Sequence, residues 1–233
     1  MNLHPFFCYY GGKWRAAKRY PPPIHQTLIE PFAGSAGYSL RYPARDVILC
    51  DLDPIICGVW EYLIRVSAEE IYQLPTKVDH VNDVNAPQEA KWLIGFWLNK
   101  GVASPTLTPS AWMRSGIRPN SYWGETIRKR IASQIGSIRH WKIHCQSYEG
   151  IENREAAWFI DPPYCGKPGK HYRCKFNDYQ ELAQWCRDRT GQVMVCEQSG
   201  ASWLPFEPFA KIKSTPGSRG KSYSEEVFWT KSS

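Results

Sequence analysis

The sequence lacks the cysteine and histidine patterns that mark structural metal sites and disulfide frameworks. Its eight cysteines form no CxxC pair, and its six histidines show neither zinc-finger spacing nor an HExxH pattern. A structural zinc ion and a disulfide framework are therefore not expected, and we predict no metal site. The thiols are expected to be reduced and mostly buried.

Long apolar runs are also missing. No uninterrupted run approaches the length of a membrane-spanning helix, and the first residues lack the apolar segment of a secretory signal. These absences predict a soluble protein of a reducing compartment, the cytoplasm. With 233 residues and no internal repeat, the chain is long enough for one core and a small inserted lobe.

Acidic residues are outnumbered by basic ones. The chain has 29 Lys and Arg against 22 Asp and Glu, a formal net charge of +7, and many of its eleven Trp and thirteen Tyr lie beside a cation. A cation next to a flat ring suits phosphates and unstacked bases, although any core also uses aromatic residues. The composition therefore favours a nucleic-acid partner, with ordinary solubility charge as the alternative.

Short apolar runs that end in turn residues recur along the chain. They predict buried strands of a largely parallel sheet, and helical patterns over 54–66, 87–100, 124–138 and 177–189 lie between them. This alternation predicts an α/β fold. Residues 101–122 break the rhythm and predict an exposed loop or small lobe, and two runs beyond residue 200 predict an antiparallel pair joined by the loop 214–222.

A turn of small residues follows the first predicted strand, in "LIEPFAGSAGYSL". The strand ends at Glu30, the turn runs from Gly34 to Gly37, and a helix is predicted to start near Tyr38. Small residues let the backbone approach a ligand, and a helix start offers free N–H groups to a carboxylate or phosphate. A turn that only reverses the chain would give the same pattern.

Two acids follow the next predicted strand, in "CDLDP". They place Asp51 and Asp53 at the neighbouring carboxyl edge of the sheet. An acid there is the usual partner of ribose hydroxyls, so this motif and the small-residue turn together predict a cofactor that contains a nucleoside. For Asp53 we prefer a helix-capping role before Pro54.

A third strand ends in "FIDPPY", which places Asp161 three residues before Tyr164. Two prolines stiffen this turn and leave carbonyl groups that can only accept hydrogen bonds. An acceptor pair beside a stacking ring suits the exocyclic amine of a flat base. Because the amine lone pair is delocalised into the base, hydrogen bonds to two acceptors favour its attack on an electrophilic methyl group. A rigid turn with a capping Asp is the alternative.

Four motifs in this order, "YYGGKWR", "EPFAGSAG", "CDLDP" and "DPPY", resemble the Dam-type (alpha-class) DNA adenine-N6 methyltransferases. The resemblance spans roughly residues 7–200. It implies a Rossmann-like methyltransferase core with helices on both faces of the sheet, formed by residues 1–75 and 140–233, with a helical and loop target-recognition region inserted at 76–139. It further implies S-adenosylmethionine as cofactor, S-adenosylhomocysteine as product, and double-stranded DNA as partner.

The resemblance also implies residue roles. Asp161 and Pro162 would accept the two amine hydrogens, Tyr164 would stack on a flipped adenine, and Lys13 would lie close to that base. Asp51 would hold the ribose. At the strand where the family has an acid followed by an aromatic residue, this chain has Ser147 followed by Tyr148. The implied cofactor contacts are Tyr9, Gly11, Gly12, Lys13, Glu30, Phe32, Ala33, Gly34, Ser35, Gly37, Asp51, Tyr148 and Asp161.

Basic and aromatic residues of the inserted region are expected to contact DNA. Trp112, Tyr122 and Trp123 are candidates to stack or wedge at the flipped base. The stretch "CGKPGKHYRCKF", residues 165–176, is expected to cover the target strand. A solvated basic face is the alternative for both. The predicted DNA contacts are Lys100, Arg114, Arg118, Tyr122, Arg128, Lys129, Arg130, Lys170 and Arg173.

Two other functions remain open from the sequence. The 4-amino group of cytosine offers the same donor geometry as the adenine amine, and Asp161 in place of Ser at the head of the motif favours adenine by resemblance. The departure at Ser147 also leaves room for a DNA-binding relative that has lost turnover.

Overall fold

A computed structural model describes residues 3–165, 171–213 and 223–232 of the chain. These residues form a seven-stranded sheet flanked by helices, which confirms the predicted α/β fold. The predicted helices are present with bounds shifted by at most four residues, and the loop 214–222 lies outside the described residues. The strands are β1 (Thr27–Glu30), β2 (Asp46–Asp51), β3 (Lys142–Cys145), β4 (Ala156–Ile160), β5 (Gly191–Gln198), β6 (Glu207–Lys213) and β7 (Tyr223–Lys231). The helices are α1 (Pro54–Arg65), α2 (Ala68–Gln73), α3 (Gln88–Leu98), α4 (Ala111–Arg114), α5 (Glu125–Gln134) and α6 (Tyr179–Asp188).

The strand order is β3-β2-β1-β4-β5-β7-β6. The first five strands are parallel, and β7 runs antiparallel between β5 and β6. From β1 the chain moves outward through β2 and β3, then returns to β4 on the other side of β1. The carboxyl ends of β1 and β4 therefore flank the point where the strand order reverses, where open α/β sheets bind ligands.

Helices cover both faces of the sheet because the central strands are apolar on both sides. All five residues of β4 are buried. Along β5, Val193 and Val195 pack in the same hydrophobic cluster as α6, while Met194 and Cys196 face the larger cluster that includes α1 and α3. Alternate residues of one strand therefore supply two cores.

A helical segment starts beside Tyr38, as predicted, but it is short. The structure has a 3-10 helix of three residues there, Ser39–Arg41, which ends at Tyr42. Pro43 follows, and a residue that precedes proline is disfavoured in the helical conformation. The turn after β1 therefore leads into a short helical segment rather than a long α-helix.

The segment 76–139 packs against the rest of the chain. The Trp97 indole donates a hydrogen bond of 2.7 Å to the carbonyl of Phe6, and the Phe7 and Phe96 ring centroids are 5.1 Å apart. Side chains of α3 and α5 share one hydrophobic cluster with those of the sheet. The division at residues 76 and 139 stays a prediction.

Within the described residues, no helix combines the length and the apolar character needed to cross a membrane.

Candidate active site

A crevice opens at the carboxyl ends of β1, β2 and β4. The structure brings twelve of the thirteen predicted cofactor contacts to its wall, from the segment before β1, the turns after the three strands and the strand ends themselves. They are Tyr9, Gly11, Gly12, Lys13, Glu30, Phe32, Ala33, Gly34, Ser35, Gly37, Asp51 and Asp161.

The turn after β1 is tied to β2 by the carboxylate of Asp51. One oxygen of Asp51 accepts a hydrogen bond of 2.9 Å from the Gly34 N–H, and the other accepts one from the Asp53 N–H at the same distance. Gly34 has a φ of +45°, a conformation that a residue without Cβ adopts readily. Burial raises the pKa of Asp51 to about 6, although these backbone donors lower it. The predicted capping role of Asp53 is confirmed, since its side chain accepts from the Ile55 N–H.

Glu30 lies buried at the end of β1. Its carboxyl accepts a hydrogen bond of 2.7 Å from the Ser39 N–H. The sequence predicted free N–H groups at the start of this helix. In the structure, the first of these groups, the N–H of Ser39, is already hydrogen-bonded to Glu30. Burial raises the pKa of Glu30 to about 8, so the group holds its proton at neutral pH.

Replacing Glu30 with Gln is expected to weaken a pH dependence of stability. In the unfolded chain Glu30 titrates near 4.5, and in the folded protein at about 8. The folded protein therefore holds an extra proton between these values, and the free energy of unfolding falls as pH rises. From about pH 6 to about pH 8, the thermal midpoint should fall less in Glu30→Gln than in wild type, because Gln still accepts from Ser39 but has no proton to lose.

The matched control is Glu61→Gln, since Glu61 is exposed and, within the described ranges, pairs with Arg65 of its own helix. It should reproduce the wild-type slope. A wild-type midpoint that stays flat across this range would contradict the assignment of Glu30.

Lys13 and Asp161 meet in the wall of the crevice, and the Tyr164 ring, which does not line it, packs against Lys13. The Lys13 ammonium lies 2.8 Å from Oδ1 of Asp161 and 4.5 Å from the ring centroid of Tyr164, and it is almost fully buried. Burial disfavours the ammonium, but the nearby carboxylates outweigh burial and hold the pKa of Lys13 well above its ordinary value. Burial also raises the pKa of Asp161 to about 6, against the opposing effect of Lys13.

The two prolines of the DPPY turn are placed differently. Pro163 lines the crevice, and its carbonyl accepts a hydrogen bond of 2.7 Å from the Tyr179 hydroxyl. Pro162 is buried and does not line the crevice. Acceptance of the second amine hydrogen by the Pro162 carbonyl stays a prediction. Within the described residues, the Tyr164 hydroxyl has no hydrogen-bond partner.

The stretch 171–176 lies across the mouth of the crevice, and the sequence did not assign it to the cofactor site. The Tyr172 ring centroid is 6.0 Å from that of Tyr9 and 5.6 Å from that of Tyr10. Arg173, predicted to contact DNA, places Nε 3.1 Å from Oδ2 of Asp53. The clustering of aromatic and basic residues in "HYRCKF" was the available signal. The crevice residues missed from the sequence are Tyr10, Leu52, Asp53, Pro163, Tyr172, Cys174, Lys175 and Phe176.

Tyr148 is the one predicted cofactor contact that does not line the crevice. It is buried behind Phe32, with ring centroids 5.5 Å apart, and it also packs against Phe176 and Trp185. Since Phe32 lines the crevice, Tyr148 supports that wall from behind. Its predicted contact with a cofactor adenine is not seen.

Some of the predicted DNA contacts are engaged with other parts of the protein, and others are exposed. Arg128 donates to the carbonyls of Tyr72 and Leu74, so this side chain holds α5 against the segment after α2. Trp123, a predicted stacking residue, is buried and donates to the Pro75 carbonyl, so that prediction is wrong. Lys129 pairs with Glu125, and Arg130 lies over the Trp97 ring. Lys100 lies over the Tyr122 ring, Arg114 and Arg118 are exposed, and Lys170 lies outside the described residues.

Across the part of the chain that the structure describes, no three His, Cys, Asp or Glu side chains are arranged to hold a metal ion.

Residues 9–90 match the model of the D12 class N6 adenine-specific DNA methyltransferase family. The predicted resemblance is confirmed. The matched range contains the first three motifs of the crevice and ends before the DPPY turn, so the family similarity is carried by the N-terminal part of the chain. No curated protein matches the sequence. A solved structure described as a conserved hypothetical protein of Streptococcus pyogenes is 10% identical, covers 88% of this chain and 84% of its own, and has a TM-score of 0.39.

Proposed function

We propose that this protein transfers a methyl group from S-adenosylmethionine to the N6 amine of an adenine flipped out of duplex DNA. The observation that carries the proposal is the ion pair of Lys13 and Asp161 in the same crevice as the family-matched turn after β1, with the Tyr164 ring 4.5 Å from the Lys13 ammonium. The acid and the ring that would hold the amine thus adjoin the wall that would hold the methyl donor.

The residues of the crevice fit a nucleoside cofactor with an amino-acid tail. A Cβ on Gly12 would lie 2.9 Å from Ser35 Oγ, and one on Gly34 would lie 3.0 Å from the Tyr9 ring, so glycine keeps this wall open. Asp51 would accept from ribose hydroxyls, and the Tyr9 and Phe32 rings offer flat surfaces. When bound, the cofactor supplies an electrophilic methyl group.

The chain's own residues would activate and hold the amine. Asp161 and the Pro162 carbonyl accept its two hydrogens, which localises the nitrogen lone pair, and the Tyr164 ring stacks on the base. The nitrogen would form one new bond to the methyl carbon as the bond between that carbon and the donor sulfur breaks, which leaves S-adenosylhomocysteine. The nitrogen would also lose one proton, which Asp161 can accept because its pKa is raised to about 6. Solvent then takes that proton and restores the acceptor.

The segment 100–124 supports duplex DNA as substrate. It contains no acidic residue and carries Lys100, Arg114 and Arg118. Trp112 in the same segment is 68% exposed, as expected of a ring that contacts a partner. Cations neutralise phosphates and an exposed ring can stack on a base, so this segment suits a nucleic-acid surface.

Incubation of the purified protein with methyl-labelled S-adenosylmethionine and mixed-sequence duplex DNA is expected to yield labelled N6-methyladenine after digestion. Heat-denatured protein is the control. Labelled methylcytosine alone would replace the adenine assignment with the cytosine amine. Binding of cofactor and DNA with no labelled base would identify a relative that has lost turnover.

A further inference from the structure

A second buried carboxylate lies beside Lys13, on β7, and neither the motifs nor the matched family range includes it. Oε1 of Glu226 is 3.9 Å from the Lys13 ammonium, on which Asp161 also acts from 2.8 Å. The side chain of Glu226 is only 7% exposed. One buried cation is therefore shared by two buried carboxylates.

Glu226 is fixed in place from its other side. Its Oε2 accepts a hydrogen bond of 2.6 Å from the Tyr20 hydroxyl, and the Tyr20 ring stacks on Phe209 with centroids 4.4 Å apart. The carboxylate therefore has a rigid support that does not depend on Lys13. Among the described residues, the titratable groups that interact within this cluster include Lys13, Tyr20, Glu30, Asp161, Tyr164, Tyr172, Cys196, Glu197 and Glu226.

The position of Lys13 is a problem for the proposed chemistry. Asp161 must offer an oxygen to the target amine, and the Lys13 ammonium lies 2.8 Å from Oδ1, close enough to compete for that oxygen. An ammonium is a stronger donor than a neutral amine, so it would win the competition for that oxygen unless another anion held it. Moving a buried ammonium away from every carboxylate would be costly.

We propose that Glu226 is a positioning residue of the methyl-transfer site. It serves as the second counter-ion of Lys13, toward which the ammonium shifts when the target amine enters, so that Asp161 can accept the amine hydrogen. The inference rests on the proposed function. The shift needs no exposure of the cation to water, because the ammonium already lies 2.8 Å from one carboxylate and 3.9 Å from the other.

The decisive variant is Glu226→Gln, with Glu225→Gln as its matched control. Gln keeps an oxygen acceptor for the Tyr20 hydroxyl and nearly the same volume, but it removes the charge. Glu225 is the adjacent residue of the same strand, is 55% exposed and pairs with Lys211 at the surface. We expect kcat for DNA methylation to fall about tenfold in Glu226→Gln, with cofactor affinity unchanged, and to remain at the wild-type value in Glu225→Gln.

The pH profile separates this role from a general loss of packing. The negative charge of Glu226 raises the pKa of Asp161, so its removal should move the acid limb of the rate to lower pH by about one pH unit. A purely structural defect would lower the rate by the same factor at every pH. Glu226→Asp keeps the charge, and its acid limb should stay near that of wild type.

The same charge effect can be measured without turnover. In cofactor-free protein carrying carbon-13 in its aspartate carboxyl groups, the Asp161 resonance, assigned with Asp161→Asn, should titrate at lower pH in Glu226→Gln than in wild type or Glu225→Gln. An unchanged Asp161 midpoint, or wild-type turnover in Glu226→Gln, would overturn the role of Glu226. Absence of methyl transfer by the wild-type protein would instead overturn the proposed function, because the titration does not depend on catalysis.

Discussion

Asp161→Asn is expected to lower the rate of methyl transfer to DNA by about 10³-fold. The carboxamide keeps one oxygen, but it is a weaker acceptor than a carboxylate and cannot take the proton that the amine loses. The fold should survive the change, because Glu226 remains as a counter-ion for Lys13 at 3.9 Å. Single-turnover transfer of label to duplex DNA measures the rate, and calorimetry should show that S-adenosylmethionine still binds.

The exposed Asp79 provides the control for this substitution. Asp79→Asn makes the same chemical change at the surface and should leave the rate unaltered. If Asp161→Asn turned over within about tenfold of wild type, Asp161 would not be the acceptor of the amine hydrogen.

Gly37→Ala is expected to destabilise the protein by about 3 kcal/mol and to abolish cofactor binding. A Cβ at this buried position would lie 2.4 Å from the Trp14 N and 2.9 Å from the Lys13 carbonyl carbon. Both contacts are with backbone, which cannot rotate away as a side chain can. The segment that carries Lys13 would have to move, and the crevice wall would move with it.

Gly136→Ala is the matched control, because a Cβ there meets no atom within 4 Å. Its free energy of unfolding should stay within about 0.5 kcal/mol of wild type. Urea denaturation measures both variants, and equal midpoints for the two would show that the close approach at Gly37 does not constrain the fold.

The strands were predictable because a strand that is buried on both faces appears in the sequence as a short continuous run of apolar residues. A run such as "AAWFI" in β4 contains only apolar residues, and a turn signal follows each such run. The crevice was largely predictable for a related reason, since carboxyl ends of neighbouring parallel strands meet at one edge of the sheet. The position of Tyr148 behind Phe32 was not predictable, because sequence order gives the strand end on which a side chain lies but not the direction in which it points.

The sequence patterns that predicted the strands and the crevice did not identify Glu226. It lies in "SYSEEVFWTK", where two adjacent acids look like ordinary surface charges of an edge strand. The structure buries one and exposes the other because side chains alternate along a strand. Phe228, two residues on, packs against Tyr20 from the same face and was the available signal that Glu226 points inward. Recognising it requires knowing that β7 lies inside the sheet.

The position of β7 between β5 and β6 has a consequence for the order in which the parts of the crevice are synthesised. Tyr20 and its partner Glu226 are 206 positions apart along the chain. The ribosome therefore synthesises all the residues that line the crevice, and the DPPY turn, well before β7, which carries Glu226. Contacts of such long sequence separation form late in folding. A nascent chain in which only the first five strands have folded would therefore lack Glu226 beside Lys13. The proposed activity would begin only after β7 has paired with β5.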